Sequence, residues 1–169
     1  EKLTWMNGMY IRNLTLEQFH QLALPHLKNA VKGDFDLVEI SKILQPRVST
    51  LNEIDEMVDF FDVLPEYDIA MYTHKKMKTN AEIALASLKQ AREVLAALPQ
   101  WSEEAIHDSL MNLIQELGIK NGQMLWPVRT AVSGKQFTPG GAIEIAHILG
   151  QAETLRRIDT GIAKLSEQA

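Results

Sequence analysis

The sequence predicts an all-α fold, and three observations support that prediction. Several segments begin with residue patterns typical of helix N-termini. Apolar residues follow at helical spacing, as in the stripe of Phe19, Leu22, Ala23 and Leu27. Val- and Ile-rich runs with strict alternation, which would predict strands, do not occur.

The first helices are predicted from capping boxes, in which a side chain and an acid or amide three residues later satisfy free backbone N–H groups. The pattern occurs at Thr15–Gln18, Asp36–Glu39 and Thr50–Glu53. The first of these predicts a helix to about Asn29. Pro46 separates the other two, because it disfavours the helical conformation at Gln45.

Longer helices are predicted in the rest of the chain. Lys75 to Leu98 consists of good helix formers, and Pro99 closes it. Ser102 caps the next helix, with two glutamates at the positive end of its dipole. Apolar spacing from Met124 to Val132 predicts a further helix that stops at Gly134.

We therefore expect two small helical bundles. A boundary near Leu98–Gln100 gives an N-terminal subdomain of residues 1–98 and a C-terminal subdomain of residues 99–169. Neither contains an internal repeat or a low-complexity segment, so a repeat architecture is not expected.

Composition excludes several functional classes. The 169 residues are 46% hydrophobic and 23% charged, as in a soluble globular protein, and the net charge of −5 argues against indiscriminate binding to nucleic acid or anionic membranes. Cysteine is absent, which excludes disulfides, thiol catalysis and cysteine-based zinc sites and suits a reducing cytoplasm. No apolar run is long enough to span a bilayer, so we expect a cytoplasmic protein without a membrane partner.

Charge is distributed unevenly along the chain. Glu53 to Asp68 contains seven acidic residues and no basic ones, whereas Lys75, Lys76 and Lys78 follow closely together. Both runs are compatible with ordinary solvated faces. Alternatively, the acidic segment faces away from an anionic partner and the lysines face it.

No motif predicts catalysis or a metal centre. The five histidines form no HExxH pattern, and no dinucleotide-binding, P-loop or GxSxG motif is present. What remains are groups suited to reading single-stranded nucleic acid, namely Arg47, Arg129 and the turn Thr138–Gly141. A salt bridge to the acidic run is the alternative for Arg47, and we expect Trp126 to pack in the core.

Motifs along nearly the whole chain carry a family resemblance. They are WMNGMYI from Trp5, the Pro46–Arg47 junction, GIKNGQMLWPVRTAVSG from Gly118, TPGGAIEIAHILG from Thr138 and ETLRRI from Glu153. In this order they resemble the C-terminal half of bacterial glutamyl-tRNA synthetase, a class I aminoacyl-tRNA synthetase. The segment from Gly122 to Gly134 is the most specific to that family.

The resemblance implies an all-helical anticodon-binding region made of two small bundles. Its partners would be the anticodon loop of tRNA(Glu) and the N-terminal catalytic domain of the same parent chain, with no DNA and no membrane. That family joins glutamate to tRNA with ATP and magnesium, through HIGH-like and KMSKS-like motifs in the catalytic domain. Neither motif occurs here, so this chain is expected to hold no catalytic residue, metal or cofactor and to be inactive alone.

The resemblance also implies roles for individual residues. Arg47 matches the arginine that contacts the third anticodon base, which suggests selectivity for tRNA(Glu) over tRNA(Gln). Arg129 matches the arginine at the first anticodon base. The loop that holds this base corresponds to Thr138, Pro139 and Gly140.

One departure from the family pattern concerns base stacking. The family often has an aromatic or bulky residue just after this turn, where this sequence has Gly141 and Ala142. Phe137 or the plane of Arg129 would then have to stack on the base. The competing interpretation of the whole chain is a helical protein-interaction or structural domain with no RNA contact, in which Arg47 and Arg129 form ordinary ion pairs.

Overall fold

A computed structural model describes residues 2–167, and the side chains of residues 7–167. The side chains of Trp5 and Met6, in the first family motif, lie outside that range. The described residues form nine α-helices and no strand beyond one isolated bridge, which confirms the all-α prediction. None of the described helices combines the length and apolar character needed to cross a bilayer. The chain divides into two compact units.

The first unit consists of the described residues up to Val63, together with Phe137–Gly140. Its helices are α1 (Lys2–Asn13), α2 (Leu16–Ala30), α3 (Leu37–Leu44) and α4 (Ile54–Val58), with 3-10 turns at Leu51–Glu53 and Asp59–Phe61. α2 packs on α3 and α4 and buries Phe19, Ala23 and Leu27 at helical spacing. Leu22, from the same predicted stripe, is exposed.

The predicted caps of this unit are largely confirmed. The Thr15 hydroxyl accepts a hydrogen bond from the Gln18 N–H at 3.1 Å, and the Gln18 side chain accepts from the Thr15 N–H at 3.0 Å. Asp36 caps α3, which ends before Pro46 as predicted. These bonds satisfy N–H groups that the helix itself leaves free, so local sequence alone defines where the helices begin.

The second unit consists of Leu64–Gln136 and the described residues from Gly141 onward. Its helices are α5 (Ala81–Ala96), α6 (Glu103–Leu117), α7 (Asn121–Ser133), α8 (Ala142–Leu149) and α9 (Gln151–Glu167). α5 packs against both α7 and α9, and α7 also contacts α8. Leu88, Val128 and Ile158 are fully buried between these helices and form part of the core that positions α7.

The predicted helix from Lys75 to Leu98 is wrong at its start. α5 begins only after Asn80, whose side chain accepts a backbone hydrogen bond from the first turn at 2.9 Å. Upstream of it, His74 and Thr79 pair through their backbones across a turn in which Lys78 is left-handed, with φ of 58°. Lysine-rich sequence favours helix, but local side-chain and turn hydrogen bonds override that propensity here.

A fully buried arginine ties α9 to α7. Arg157 Nη1 donates to the Val132 carbonyl at 2.7 Å, and its Nε donates to Glu153 at 2.6 Å. Glu153 also accepts from Arg156. The Arg156 hydrogen bonds, followed by those of Arg157, lower the pKa of Glu153 to about 2 against the opposing effect of burial.

The boundary predicted after Leu98 lies between α5 and α6, which both belong to the second unit. The division into compact units falls between Val63 and Leu64, and again on either side of Phe137–Gly140. This division into compact units does not show which function either unit has. The division into anticodon-binding subdomains of residues 1–98 and 99–169 therefore stays a prediction.

Candidate nucleic-acid interface

A proline inside α7 shapes the helix that carries the main candidate residues. Pro127 has no N–H, so the Gln123 carbonyl four residues earlier loses its helical partner. The Ser87 hydroxyl on α5 donates to this carbonyl at 2.9 Å instead. α7 then continues to Ser133, and Gly134 ends it in the left-handed conformation with φ of 63°, as the sequence predicted.

The central feature of this helix is a stacked pair. The Arg129 Cζ lies 4.3 Å from the centroid of the Trp126 ring, one helical turn away, and Arg129 Nη2 donates to the Gln136 carbonyl at 2.5 Å. Trp126 Nε1 donates to the Met71 carbonyl at 2.9 Å. Burial lowers the pKa of Arg129, but an arginine stays charged at neutral pH.

The expectation that Trp126 packs in the core is wrong. Its side chain is only half-buried. The Trp126 ring contacts Arg129 on one part and His74 on another, and the centroids of the His74 and Trp126 rings lie 4.3 Å apart. His74 Nδ1 in turn accepts the Met77 N–H at 3.2 Å. The indole is therefore held in place by polar neighbours at the edge of a cavity.

This cavity, which we call the Trp126 pocket, is an open concavity of about 370 Å³. It is mostly apolar and is lined by Met77, Asn121, Gly122, Leu125, Trp126, Arg129, Gly141 and Ala142. Gly141 and Ala142, where the resemblance led us to expect a bulky residue, form part of its wall at the start of α8. No long side chain projects from that wall, so a planar group can enter beside Arg129.

Two further concavities adjoin the Trp126 pocket, and each shares a different part of its lining. The lysine pocket, of about 250 Å³, is lined by Lys76, Met77, Lys78, Lys120 and Gly122. The glutamate pocket, of about 430 Å³, is lined by Glu103, Glu104, His107, Leu125, Gly141, Ala142, Ile143 and Glu144. The surface of the second unit thus changes from basic, through apolar, to acidic.

The predicted loop residues form a closed turn that groups with the first unit. The Thr138 hydroxyl donates to the Gly140 carbonyl at 2.5 Å. Pro139 and Gly140 are buried, whereas Phe137 is 82% exposed. The turn therefore has a fixed shape, and Phe137 is an aromatic side chain available to solvent.

Arg47 also belongs to the first unit, separate from Arg129 in the second. It is exposed, and its Nη1 donates to the Ile43 carbonyl at 3.0 Å, at the C-terminal end of α3. Among the described residues it forms no ion pair with the acidic run from Glu53 to Asp68. The salt-bridge alternative therefore finds no support in the described contacts.

Part of the lysine pocket was not predicted from the sequence. It singled out Lys76 and Lys78 but not Lys120, which lies far along the chain and reaches the same cavity. The link is the Gln123 side chain, which contacts the backbone at both Lys78 and Lys120. No local pattern in the sequence predicts a contact between such distant segments.

Comparison with known families decides the family of this helical protein. Residues 18–162, most of the chain, match the family described as an anticodon-binding domain. The chain belongs to the anticodon-binding domain family. This membership indicates tRNA as the class of ligand that the domain binds.

Similar curated proteins are glutamate–tRNA ligases, which confirms the resemblance drawn from the motifs. The ligase of Clostridium tetani is 58% identical over 168 residues, which cover 99% of this domain's chain and 34% of that protein. Those of Clostridium botulinum strain Loch Maree and Clostridium acetobutylicum are 58% and 53% identical, over 98% of the chain and 34% of each protein. The anticodon-binding domain thus spans about a third of the curated relatives it matches.

Solved structures agree on the fold. A glutamate tRNA ligase from Elizabethkingia meningosepticum matches the anticodon-binding domain with a TM-score of 0.78 at 22% identity, over 96% of this chain and 32% of that one. A glutamate-tRNA synthetase from Elizabethkingia anophelis matches with a TM-score of 0.72 at 20% identity, over 95% and 31%. At these identities the match supports the helical architecture, not the role of any residue.

Proposed function

We propose that this chain is the anticodon-reading part of a glutamate–tRNA ligase and that it binds the anticodon loop of tRNA(Glu). The relatives that support this proposal are glutamate–tRNA ligases, and each is about three times as long as the matched segment. The parent would attach glutamate to tRNA in the cytoplasm, with ATP and magnesium bound outside this chain. This part would supply recognition and no chemistry.

The observation that carries the proposal is the Arg129–Trp126 pair at the mouth of an apolar pocket. A guanidinium offers several donors in one plane, which suits the edge of an unstacked base. The indole and the other apolar walls suit the faces of the base, whose stacking on aromatic side chains contributes about 1–3 kcal/mol. We assign the first anticodon base to Arg129 and this pocket.

The first unit would supply the remaining contacts. Arg47 is exposed and forms no ion pair among the described residues, so its free N–H groups suit the carbonyl oxygen of cytosine at the third anticodon position. The turn of Thr138, Pro139 and Gly140 would contact the anticodon loop through its fixed backbone rather than through the Thr138 hydroxyl proton, which already bonds Gly140. Phe137 is the exposed aromatic available for stacking.

A titration tests this proposal against a helical interaction domain without RNA contact. The chain is titrated with a hairpin RNA that carries the glutamate anticodon arm with CUC, and with the same hairpin carrying AAA, each at two salt concentrations. We expect tighter binding to CUC, and weaker binding of both hairpins as salt rises, because phosphate contacts release counterions. Equal affinity for the two hairpins, or affinity independent of salt, contradicts the proposal.

A further inference from the structure

We propose that the lysine pocket binds a backbone phosphate of the RNA whose base occupies the Trp126 pocket. This inference rests on the proposed function and adds a second subsite to it. The ligand class is a phosphodiester anion. The role assigned to the site is to hold the strand in one register while the neighbouring pocket reads the base.

The charge of the site is the first support. Lys76, Lys78 and Lys120 line one cavity, and all three are exposed. No ion pair joins any of them to a carboxylate among the described residues. Three ammonium groups around one cavity repel each other, so an anion that enters is attracted by all of them.

Hydrogen bonds also hold the lysine pocket in a defined shape. Gln123 Nε2 donates to the Lys78 carbonyl at 3.1 Å, while Gln123 Oε1 accepts the Lys120 N–H at 2.9 Å. One side chain thus fixes two lysine backbones that are distant in sequence. A Cβ on Gly122 would lie 3.0 Å from Met77 Cβ and 3.3 Å from Met77 Cα, so glycine favours the close approach of the lysine turn to α7.

The lysine pocket is joined to the Trp126 pocket by shared walls. Met77 and Gly122 line both cavities. His74 contacts the Trp126 ring and accepts the Met77 N–H, so the base pocket and the lysine turn share a rigid support. A nucleotide whose base lies against Trp126 can therefore place its phosphate among the lysines.

The glutamate pocket, which shares Leu125, Gly141 and Ala142 with the Trp126 pocket and none of its lining with the lysine pocket, favours the same orientation. Glu103, Glu104 and Glu144 line it. Carboxylates repel a phosphate, and the two charged flanks together disfavour the reversed strand. The arrangement thus favours one orientation of the bound RNA strand and also increases the affinity for it.

Salt dependence tests the inference. The triple variant Lys76→Gln, Lys78→Gln and Lys120→Gln is titrated with the CUC hairpin across a range of salt concentrations. Each phosphate contact on a single strand contributes about 0.7 to the slope of log affinity against log salt. We expect the slope to fall by about 0.7, as for one phosphate, with affinity reduced at least tenfold at low salt.

A charge-matched control separates the site from general electrostatics. Lys28→Gln, Lys32→Gln and Lys89→Gln together remove the same charge from exposed positions outside the three pockets. We expect this triple variant to keep the wild-type slope. If both triple variants change the slope equally, the lysine pocket has no special role and the inference is overturned. Thermal unfolding of both variants checks that each is folded.

Replacing single RNA phosphates with neutral methylphosphonates identifies the phosphate that the lysine pocket binds. Hairpins with one methylphosphonate at each anticodon-loop position are titrated against the wild type and the lysine-pocket variant. We expect one position, next to the first anticodon base, to weaken wild-type binding clearly and to have little further effect on the variant. Additive losses at every position overturn the inference. If the wild type still prefers CUC over AAA, the proposed function survives that result, whereas loss of the preference would remove both.

Discussion

The Arg129 guanidinium lies over the Trp126 ring, with Cζ 4.3 Å from the ring centroid, and also donates to the Gln136 carbonyl. These two contacts fix its plane before any ligand binds. A side chain that is already ordered loses less entropy on binding than a free one. The pair is therefore suited to select a planar partner at the mouth of the pocket.

Replacing Arg129 with lysine tests the importance of that plane. Lysine keeps the positive charge but loses the planar donors and the stacking on Trp126. We expect the affinity for the CUC hairpin to fall about tenfold, which is about 1.4 kcal/mol, with thermal unfolding little changed. Arg92→Lys is the control, since Arg92 forms an exposed ion pair with Asp159 on the same unit. Equal losses for the two variants would contradict the role of Arg129.

Ser87→Ala tests how α7 tolerates its internal proline. The Ser87 hydroxyl satisfies the Gln123 carbonyl that Pro127 leaves without a helical partner. Removing it is expected to lower the free energy of unfolding by about 1 kcal/mol, as measured by urea denaturation. Ser109→Ala is the control, because Ser109 bonds a carbonyl within its own helix. A loss no larger than that of the control would show that the bond is not needed.

Arg47→Gln tests the assignment of the third anticodon base. The wild type is expected to prefer the CUC hairpin over the CUG hairpin, because Arg47 can donate to the cytosine carbonyl, whereas guanine at that position is larger and presents a different pattern of donors and acceptors. Glutamine is expected to reduce that preference several-fold without changing the fold. In the glutamate–tRNA ligase that we propose as the parent, aminoacylation of the two tRNA types would give the same comparison. An unchanged ratio would remove the assignment.

The ion pair of Glu153 predicts how stability depends on pH. Hydrogen bonds from Arg156 and then Arg157 lower the pKa of Glu153 from 4.5 to about 2 in the folded chain. A depressed pKa stabilises the fold above the unfolded value, and the stabilisation disappears as pH falls from about 4.5 to about 2. We expect the free energy of unfolding to decrease over that range.

Glu153→Gln isolates this contribution from other carboxylates. The variant removes the carboxylate that the buried Arg157 bonds through Nε, so we expect a loss of about 3 kcal/mol at neutral pH. The pH dependence between 4.5 and 2 should then become shallower than in the wild type. Parallel curves for the two proteins would show that Glu153 is not the group responsible.

Local signals in the sequence were enough to predict much of the fold. The capping box at Thr15 and the left-handed glycine at Gly134 act through neighbours in sequence, so their effects can be read directly. The start of α5 could not be predicted in this way, because good helix formers from Lys75 to Lys78 are held in a turn by the His74–Thr79 bridge. Tertiary and turn contacts there outweigh a small propensity per residue.

The candidate site was predictable only in part. The resemblance singled out Arg129, and the structure places it beside a cavity, but the exposure of Trp126 depends on neighbours from another segment. The lysine pocket depends on Gln123, which brings together Lys78 and Lys120. Such contacts join distant segments and leave no local pattern in the sequence from which they could be predicted.

The role of Arg129 at the first anticodon base is tested by combining one protein change with one RNA change. Wild type and Arg129→Ala are titrated with hairpins that carry C or A at the first anticodon position. If Arg129 reads this base, the wild type prefers C, and the variant binds both hairpins with nearly equal affinity. A preference that is unchanged in Arg129→Ala, or absent in the wild type, would contradict the proposal that this surface reads the anticodon.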